Sequence, residues 1–399
     1  MSATDAEAPP PSADRSHVEA IAQRLVARVD PRRVAVPRFL NAVYEAGLAW
    51  VHHPAELGGL GLPRNLQVVA DRVLREAGGA DPFELNPIGY GMAAPTLVAH
   101  APAPLSQALL RPLFTGEHIW CQLFSEPGAG SDLAGLATMA RRDGGDWVVD
   151  GEKLWTSLAH LASYALLLAR TDPDRPKHQG LTCFVLDMTS PGVEVRPLRQ
   201  MTGQTEFNQV VLHGVRVPDG HRVGATGDGW RVAMTTLMNE RSAIGDGAGS
   251  RGNRAIDDAV ELWARFPHRR TPALRDRLAA LWTRAEAQRF TSERMARSAT
   301  SDHPGPEGSI GKLVTAELNQ AIYLFCTELL GCDGVLYDAY QARDSDDSSV
   351  QQRFLRAQAN TIEGGTSDIL RNIVGERLLG LPGEPRIDTH RPWREIPRG

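Results

Sequence analysis

The period of the apolar residues changes twice along this chain, and that limits the folds open to it. After Ser16, Ile21, Leu25 and Val29 recur at helical spacing, and Pro31 closes the helix they predict. Similar patterns run through residues 39–48, 66–77 and 105–114. Between Ile119 and Val223 the helical period gives way to short β-rich runs separated by turn residues. Asp143-Gly144-Gly145-Asp146 precedes Trp147-Val148-Val149, and further runs cover 165–169, 182–187, 193–198 and 209–217. From Gly229 the helical period returns. Leu313, Leu318, Ile322, Phe325 and Leu329 form a stripe of the kind that packs in a bundle. The pattern predicts a multi-domain α+β fold. An N-terminal helical domain covers 15–120, a central antiparallel β-barrel or sandwich 121–225, and a C-terminal helical bundle 226–385. Residues 1–14, rich in Ala, Pro and acidic groups, are expected to be disordered. Gly380-Leu381-Pro382-Gly383 stops the last helix, leaving 386–399 as a polar tail.

Several function classes are disfavoured at once. The 399 residues are too many for one small core. A net charge of -5 and a pI near 6.2 give no electrostatic footprint for nucleic acid or an anionic membrane. Cys121, Cys183, Cys326 and Cys332 lack metal or redox spacing, which suits free thiols in a reducing, cytoplasmic setting. The histidines form no HExxH cluster, so no metal is expected. The N-terminus lacks a signal-peptide pattern, and the apolar run at 165–169 is too short to span a membrane. No GxSxG or P-loop occurs, and Gly58-Gly59-Leu60-Gly61 reads as a plain turn. Of 43 basic residues only Lys153, Lys177 and Lys312 are lysine, which reads as genome base composition.

Two stretches carry chemistry. In Cys121-Gln122-Leu123-Phe124-Ser125-Glu126-Pro127-Gly128-Ala129-Gly130-Ser131-Asp132, glycines let backbone amides approach a ligand, and Ser125 and Ser131 add hydroxyls. Downstream, in Leu154-Trp155-Thr156-Ser157, strand alternation places the Trp155 indole and the Ser157 hydroxyl on one face. An aromatic plane beside a hydroxyl suits a flat polar ring system. The second stretch is Asn239-Glu240-Arg241, a carboxylate beside a guanidinium in an otherwise apolar helix.

The segment 125–157 resembles the flavin-binding signature of the acyl-CoA dehydrogenase family. Gly364-Gly365-Thr366-Ser367-Asp368-Ile369-Leu370-Arg371 resembles its second signature, and Pro54-Ala55-Glu56-Leu57-Gly58-Gly59-Leu60-Gly61 a loop of its first domain. The resemblance spans about 15–385 and implies FAD and two-electron oxidation of an acyl thioester between Cα and Cβ. It implies a homotetramer or a heterotetramer with a related subunit, and an electron-transfer flavoprotein as acceptor. By this resemblance Gln122, Phe124, Ser125, Gly130, Ser131, Trp155, Thr156 and Ser157 bind FAD, with Phe124 and Ser125 at its pyrimidine side and Ser157 near N5. Thr366 and Asp368 lie near the ribityl-pyrophosphate part, and Arg265, Glu328 and Gly331 reach a neighbouring subunit's FAD. Ser131, Arg241 and Gly364 face the thioester.

In many members of that family the base is a glutamate where this chain has Gly364. A second branch, including isovaleryl-CoA dehydrogenase, takes it from the helix opening the C-terminal domain, directly before an arginine. Glu240-Arg241 matches that branch, with Glu363 as rival. A carboxylate desolvated against flavin and thioester gains basic strength. Gly364 is then free to donate its N–H to the thioester carbonyl and to leave room for a branched or bulky acyl group. Residues 264–271 depart from the family's Arg-aromatic-Gly pattern, and Pro267 ends the helix early. That keeps open a non-catalytic partner subunit completing another chain's FAD site. An oxygen-using oxidase also stays open.

Overall fold

The structure, a computed structural model, describes residues 13–247, 254–298, 308–337, 349–385 and 388–397. Of the expected N-terminal disorder, residues 1–12 lie outside the described residues, while Ala13 and Asp14 already belong to the first helix. Contacts divide the chain into two units, Met1–Trp120 and Cys121–Gly399.

The first unit is helical: α1 Ala13–Arg28, α2 Val36–Glu45, α3 Gln67–Glu76, α4 Pro82–Leu85, α5 Ala94–His100 and α6 Ala103–Phe114. The buried stripe of α1 is Val18, Ala22 and Leu25, with Ile21 at its edge. The glycine-rich loop is a turn, as its chemistry requires. Gly58 sits at φ +80°, and a Cβ on Gly59 would lie 2.0 Å from the His53 carbonyl oxygen. Asn86 is buried and links three segments. Its amide donates to the carbonyls of Leu113 (2.9 Å) and His118 (3.0 Å), and its Oδ1 accepts from the Gly89 and Trp120 amides.

The second unit holds an eight-stranded sheet: β1 Trp120–Leu123, β2 Met139–Asp143, β3 Asp146–Ser157, β4 Tyr164–Arg170, β5 Leu181–Asp187, β6 Val193–Leu198, β7 Phe207–Pro218 and β8 Arg222–Val223. The order is β6-β7-β3-β2-β4-β5-β8, with β1 beside β4. The pairs β2·β3, β3·β7, β4·β5, β5·β8 and β6·β7 are antiparallel. However, β2 meets β4 in parallel at Met139↔Arg170, so the sheet is mixed rather than wholly antiparallel. Val149, Ala165, Leu167, Phe184, Leu212 and Val215 fill its core. Leu166 and Leu168 of β4 are also fully buried, which fits a strand covered on both faces.

The helices that cover this sheet and extend from it are α7 Gly229–Gly247, α8 Arg254–Arg265, α9 Pro272–Ser298, α10 Gly308–Leu330, α11 Val350–Ala357 and α12 Ser367–Ile373. Helix α7 packs on β4 and β5, and α10 runs through the centre of the bundle against α7, α8, α9, α11 and α12. Leu318, Ile322, Phe325 and Leu329 of the predicted stripe are buried there with Ala259, Leu262 and Leu281. All four cysteines are free, three buried and Cys332 exposed. Among the described residues no helix is long and apolar enough to cross a membrane.

Candidate active site

A buried ion pair builds the glycine-rich loop. Lys153 of β3 is fully enclosed, and its ammonium donates to Glu126 Oε1 (2.9 Å), the Phe124 carbonyl (3.0 Å) and the Leu168 carbonyl (2.8 Å). Glu126 also accepts from the amides of Ala137 (2.6 Å) and Thr138 (2.9 Å), closing the loop's neck. Glu126 and Ala129 exchange backbone hydrogen bonds within it. Burial pushes the Glu126 carboxyl up, but Lys153 and these donors outweigh it and hold the group below its ordinary value. Burial pushes the Lys153 ammonium down, against the pull of Glu126.

Trp155 is the most unusual residue of the sheet. The β3·β7 register slips between Lys153 and Thr156, and Trp155 sits in that bulge at φ +61°. Its indole is 57% exposed and meets the Phe207 ring edge-on at 6.0 Å. Simple strand alternation does not describe the backbone at Trp155. A left-handed tryptophan persists only where its surroundings impose it, and such residues cluster at ligand sites. Thr156 beside it is buried, with Oγ1 lacking a hydrogen-bond partner, and Ser157 is half-buried. Gln122 on β1 is half-buried, and its Oε1 is likewise without a partner.

The Ser125 side chain is half-buried, and its carbonyl accepts from Leu154. Phe124 is only 2% exposed, so its ring lies in the core and leaves only its backbone to meet a ligand. Gly128 and Gly130 face open space, and Ser131 is exposed. An exposed indole, two unpartnered polar oxygens and open glycines fit FAD, whose ring offers both a broad face and an amide-like edge.

The C-terminal motif is braced from α10. Lys312 donates to the carbonyls of Asn360 and Gly365, both at 2.7 Å. Gly364 and Gly365 follow each other at φ +60° and +92°. The structure thus adds a backbone reason for glycine at 364 to the steric one read from sequence. The Thr366 hydroxyl caps α12 by accepting from the Ile369 amide (3.2 Å), and Asp368 lies exposed, paired with Arg371. Both oxygens of Glu363 are engaged by Arg356, each at 2.9 Å, and Asn360 adds a third donor at 2.8 Å. Arg356 also reaches Glu206 at 3.4 Å. Glu240 is half-buried on α7, directly after the buried Asn239. Arg241 is helical, but its side chain lies outside the described residues.

The segment expected to meet a neighbour's FAD presents two arginines. Arg265 is exposed, lying over its own neighbour Phe266 at 5.6 Å. Arg269, after the Pro267 break, pairs with Asp333 and lies 3.6 Å from the space beside Gly331. Glu328 is paired with Arg277. The three lysines also need a new reading, because all three are buried. Their rarity in an arginine-rich chain was the available signal. Among the described residues no His, Cys, Asp or Glu cluster could hold a metal.

Comparison with known proteins places this architecture in a family. The model for the acyl-CoA dehydrogenase middle domain matches residues 121–215, and that for the C-terminal domain matches 227–379. FadE34 of Mycobacterium tuberculosis, an acyl-CoA dehydrogenase, is 40% identical over 86% of this chain, which spans 46% of that protein's length. IpdE1 of the same organism, also an acyl-CoA dehydrogenase, is 36% identical over 86% of both chains. The solved Tcur3481-Tcur3483 steroid ACAD superposes with a TM-score of 0.72 at 27% identity, over 94% of this chain and 99% of that one. The chain belongs to the acyl-CoA dehydrogenase family, whose members are FAD-dependent oxidoreductases.

Lys153→Met would leave the Glu126 carboxylate buried without its cation. We expect a loss of about 3–5 kcal/mol in urea unfolding. Combining it with Glu126→Gln should recover at least about half of that loss. A double variant no better than the single one would show that the pair's charge balance is not what the loop depends on.

Proposed function

We propose that this chain catalyses the α,β-dehydrogenation of an acyl thioester, with Glu240 as the base. FAD supplies the two-electron acceptor for the hydride that leaves Cβ. Gln122, Ser125, Gly130, Ser131, Thr156 and Ser157 would hold it, with Trp155 against its ring. Glu240 removes the α-proton, and the product is the trans-2-enoyl thioester. The observation that carries the assignment is the state of Glu363, whose oxygens are both engaged by Arg356. A base must bring a lone pair to the substrate, and on Glu363 both oxygens already accept from Arg356 and one accepts from Asn360 as well. An electron-transfer flavoprotein is the proposed acceptor.

The substrate we infer is bulky near the thioester, branched or ring-bearing. Gly364 supports this by leaving its position without a side chain, and so does the likeness to a steroid ACAD. A second reading concerns assembly. Arg269 and Arg277 are engaged by Asp333 and Glu328 of their own chain, where a homotetramer would need cations for a neighbour's pyrophosphate. That favours a heteromer with a related subunit. Purified alone, the chain should then carry clearly less than one FAD per polypeptide and reach full occupancy only when co-expressed with a related chain. Full occupancy alone would exclude this reading.

Glu240→Gln should keep bound FAD yet slow its reduction by substrate at least about a hundredfold. Glu363→Gln should stay within about tenfold of wild type, because it disturbs a support rather than the proton transfer. Stopped-flow bleaching of the flavin band measures both, and the reverse ranking would make Glu363 the base.

Gly364→Ala adds one methyl at a left-handed position, at about 1–2 kcal/mol of backbone strain. It should lower kcat/KM for ring-bearing thioesters more than for short straight ones, and the ratio of the two reads transition-state discrimination directly. An unchanged ratio would remove the steric part of the reading.

A further inference from the structure

We propose that residues 388–397 brace the 126–138 loop in the conformation that takes cofactor and thioester, with Trp393, Asp388 and Lys177 as positioning residues. The proposal rests on reading that loop as the FAD and thioester site. By composition the segment is a polar tail, yet Trp393 is only 5% exposed. The tail is fixed first to the turn between β4 and β5. The Trp393 amide donates to the Arg175 carbonyl (2.9 Å), and the Arg394 amide donates to the Pro173 carbonyl (3.1 Å). Pro392 bridges Pro176, and Arg394 pairs with Asp174 at 2.7 Å.

From there it reaches the loop. Three successive loop carbonyls are each taken by a buried cationic or indole donor. Arg170 donates to Ala134 (2.6 Å) and Leu136 (3.1 Å), and the Trp393 indole N–H donates to Gly135 between them (3.0 Å). The Arg170 guanidinium is fully buried, and the Trp393 ring lies against it at 4.3 Å. An aromatic face there offsets part of the hydration the cation has lost. Further along, the Lys177 ammonium sits between two carboxylates, Asp132 of the loop (2.9 Å) and Asp388 of the tail (2.5 Å).

The loop is therefore held from two sides by different groups. Its returning amides at Ala137 and Thr138 go to Glu126, and its carbonyls at 134–136 go to Arg170 and Trp393. The tail supplies one carbonyl donor, the aromatic cover on Arg170 and half of the Lys177 charge balance. Removing them leaves the fold of the sheet but loosens the segment between Ser131 and Thr138. A loop that must be ordered on binding gives up affinity that a preorganised loop keeps.

The test uses the full chain, co-expressed with a related subunit where FAD loading requires it. Trp393→Phe keeps the ring over Arg170 and removes the N–H. Asp388→Asn removes the charge facing Lys177, and Asp388→Glu serves as the conservative control. Hydrogen exchange of the peptides covering 126–138 is measured without FAD, and FAD affinity is measured from flavin fluorescence on release. The double variant Trp393→Phe/Asp388→Asn should exchange faster in 126–138, with β5 and β7 unchanged, and should bind FAD about tenfold more weakly. Asp388→Glu should stay near wild type. Unchanged exchange in 126–138 overturns the proposal. So does faster exchange with FAD affinity within twofold of wild type, since the brace would then not serve the site. A wild-type chain that takes no FAD in any assembly overturns the site reading, and with it the cofactor half of this proposal. Exchange then decides the brace by itself.

Discussion

The site depends on one ammonium group removed from water. Lys153 lies where the end of β1, the middle of β3 and the end of β4 converge, and its three donors go to Phe124, Glu126 and Leu168. Desolvating such an ion costs several kcal/mol, and desolvating its carboxylate partner costs as much again. The cost is offset only when the geometry is good and both ions find further hydrogen-bond partners, as happens here through the amides of Ala137 and Thr138. The consequence is geometric. An apolar pair of equal volume would fill the space, but it would not fix where the loop leaves the sheet and where it returns.

The same device recurs at the other two lysines. Lys312 ties α10 to the Asn360 and Gly365 carbonyls, and Lys177 joins Asp132 to Asp388. Each site asks for a compact cation with divergent donors, which ammonium provides and a planar guanidinium does not. The chain uses arginine almost everywhere else, including the bidentate clamp on Glu363, where a planar fork is the better shape. The sequence reading took the scarcity of lysine for base composition. The two explanations are compatible, since a background that favours arginine makes the surviving lysines more telling.

What was legible in the sequence was periodic or local. The switch from helical to strand period marked the β-rich segment, and the α10 stripe forecast a buried face. Non-local features were hidden. The parallel seam at Met139↔Arg170 depends on strand order, which no local pattern encodes. The bulge at Trp155 defeats simple alternation, because one extra residue changes the face without changing composition. Residues 386–399 read only as a polar tail, whereas Trp393 and Asp388 meet partners more than 200 positions earlier in the chain. Arg265 was taken from family resemblance, and the contact of Arg269 with Asp333 across the Pro267 break was not visible in the sequence. The roles of the site residues came from family resemblance, since nothing in residue spacing separates a catalytic glutamate from a helix salt bridge.

The two glutamates illustrate how position can be separated from use. Glu363 stands one residue before the place where much of the family carries its base, yet it serves as an anchor. Arg356 holds it and also reaches Glu206 in the loop between β6 and β7, so one guanidinium ties the sheet to the C-terminal motif. Burial alone would push the Arg356 guanidinium down, but its bonds to Glu363 and Glu206 outweigh that and raise it, as expected for an ion paired on more than one side. With that anchor and Lys312 on either flank, Gly364 and Gly365 can stay at positive φ, a conformation that a base-bearing residue would hold at a strain cost. A base on α7, as proposed for Glu240, avoids that conflict. The turn keeps the backbone shape that glycine allows, and the proposed base Glu240 sits on a long helix packed against the sheet, where its reach would be set by helix position rather than by a strained turn.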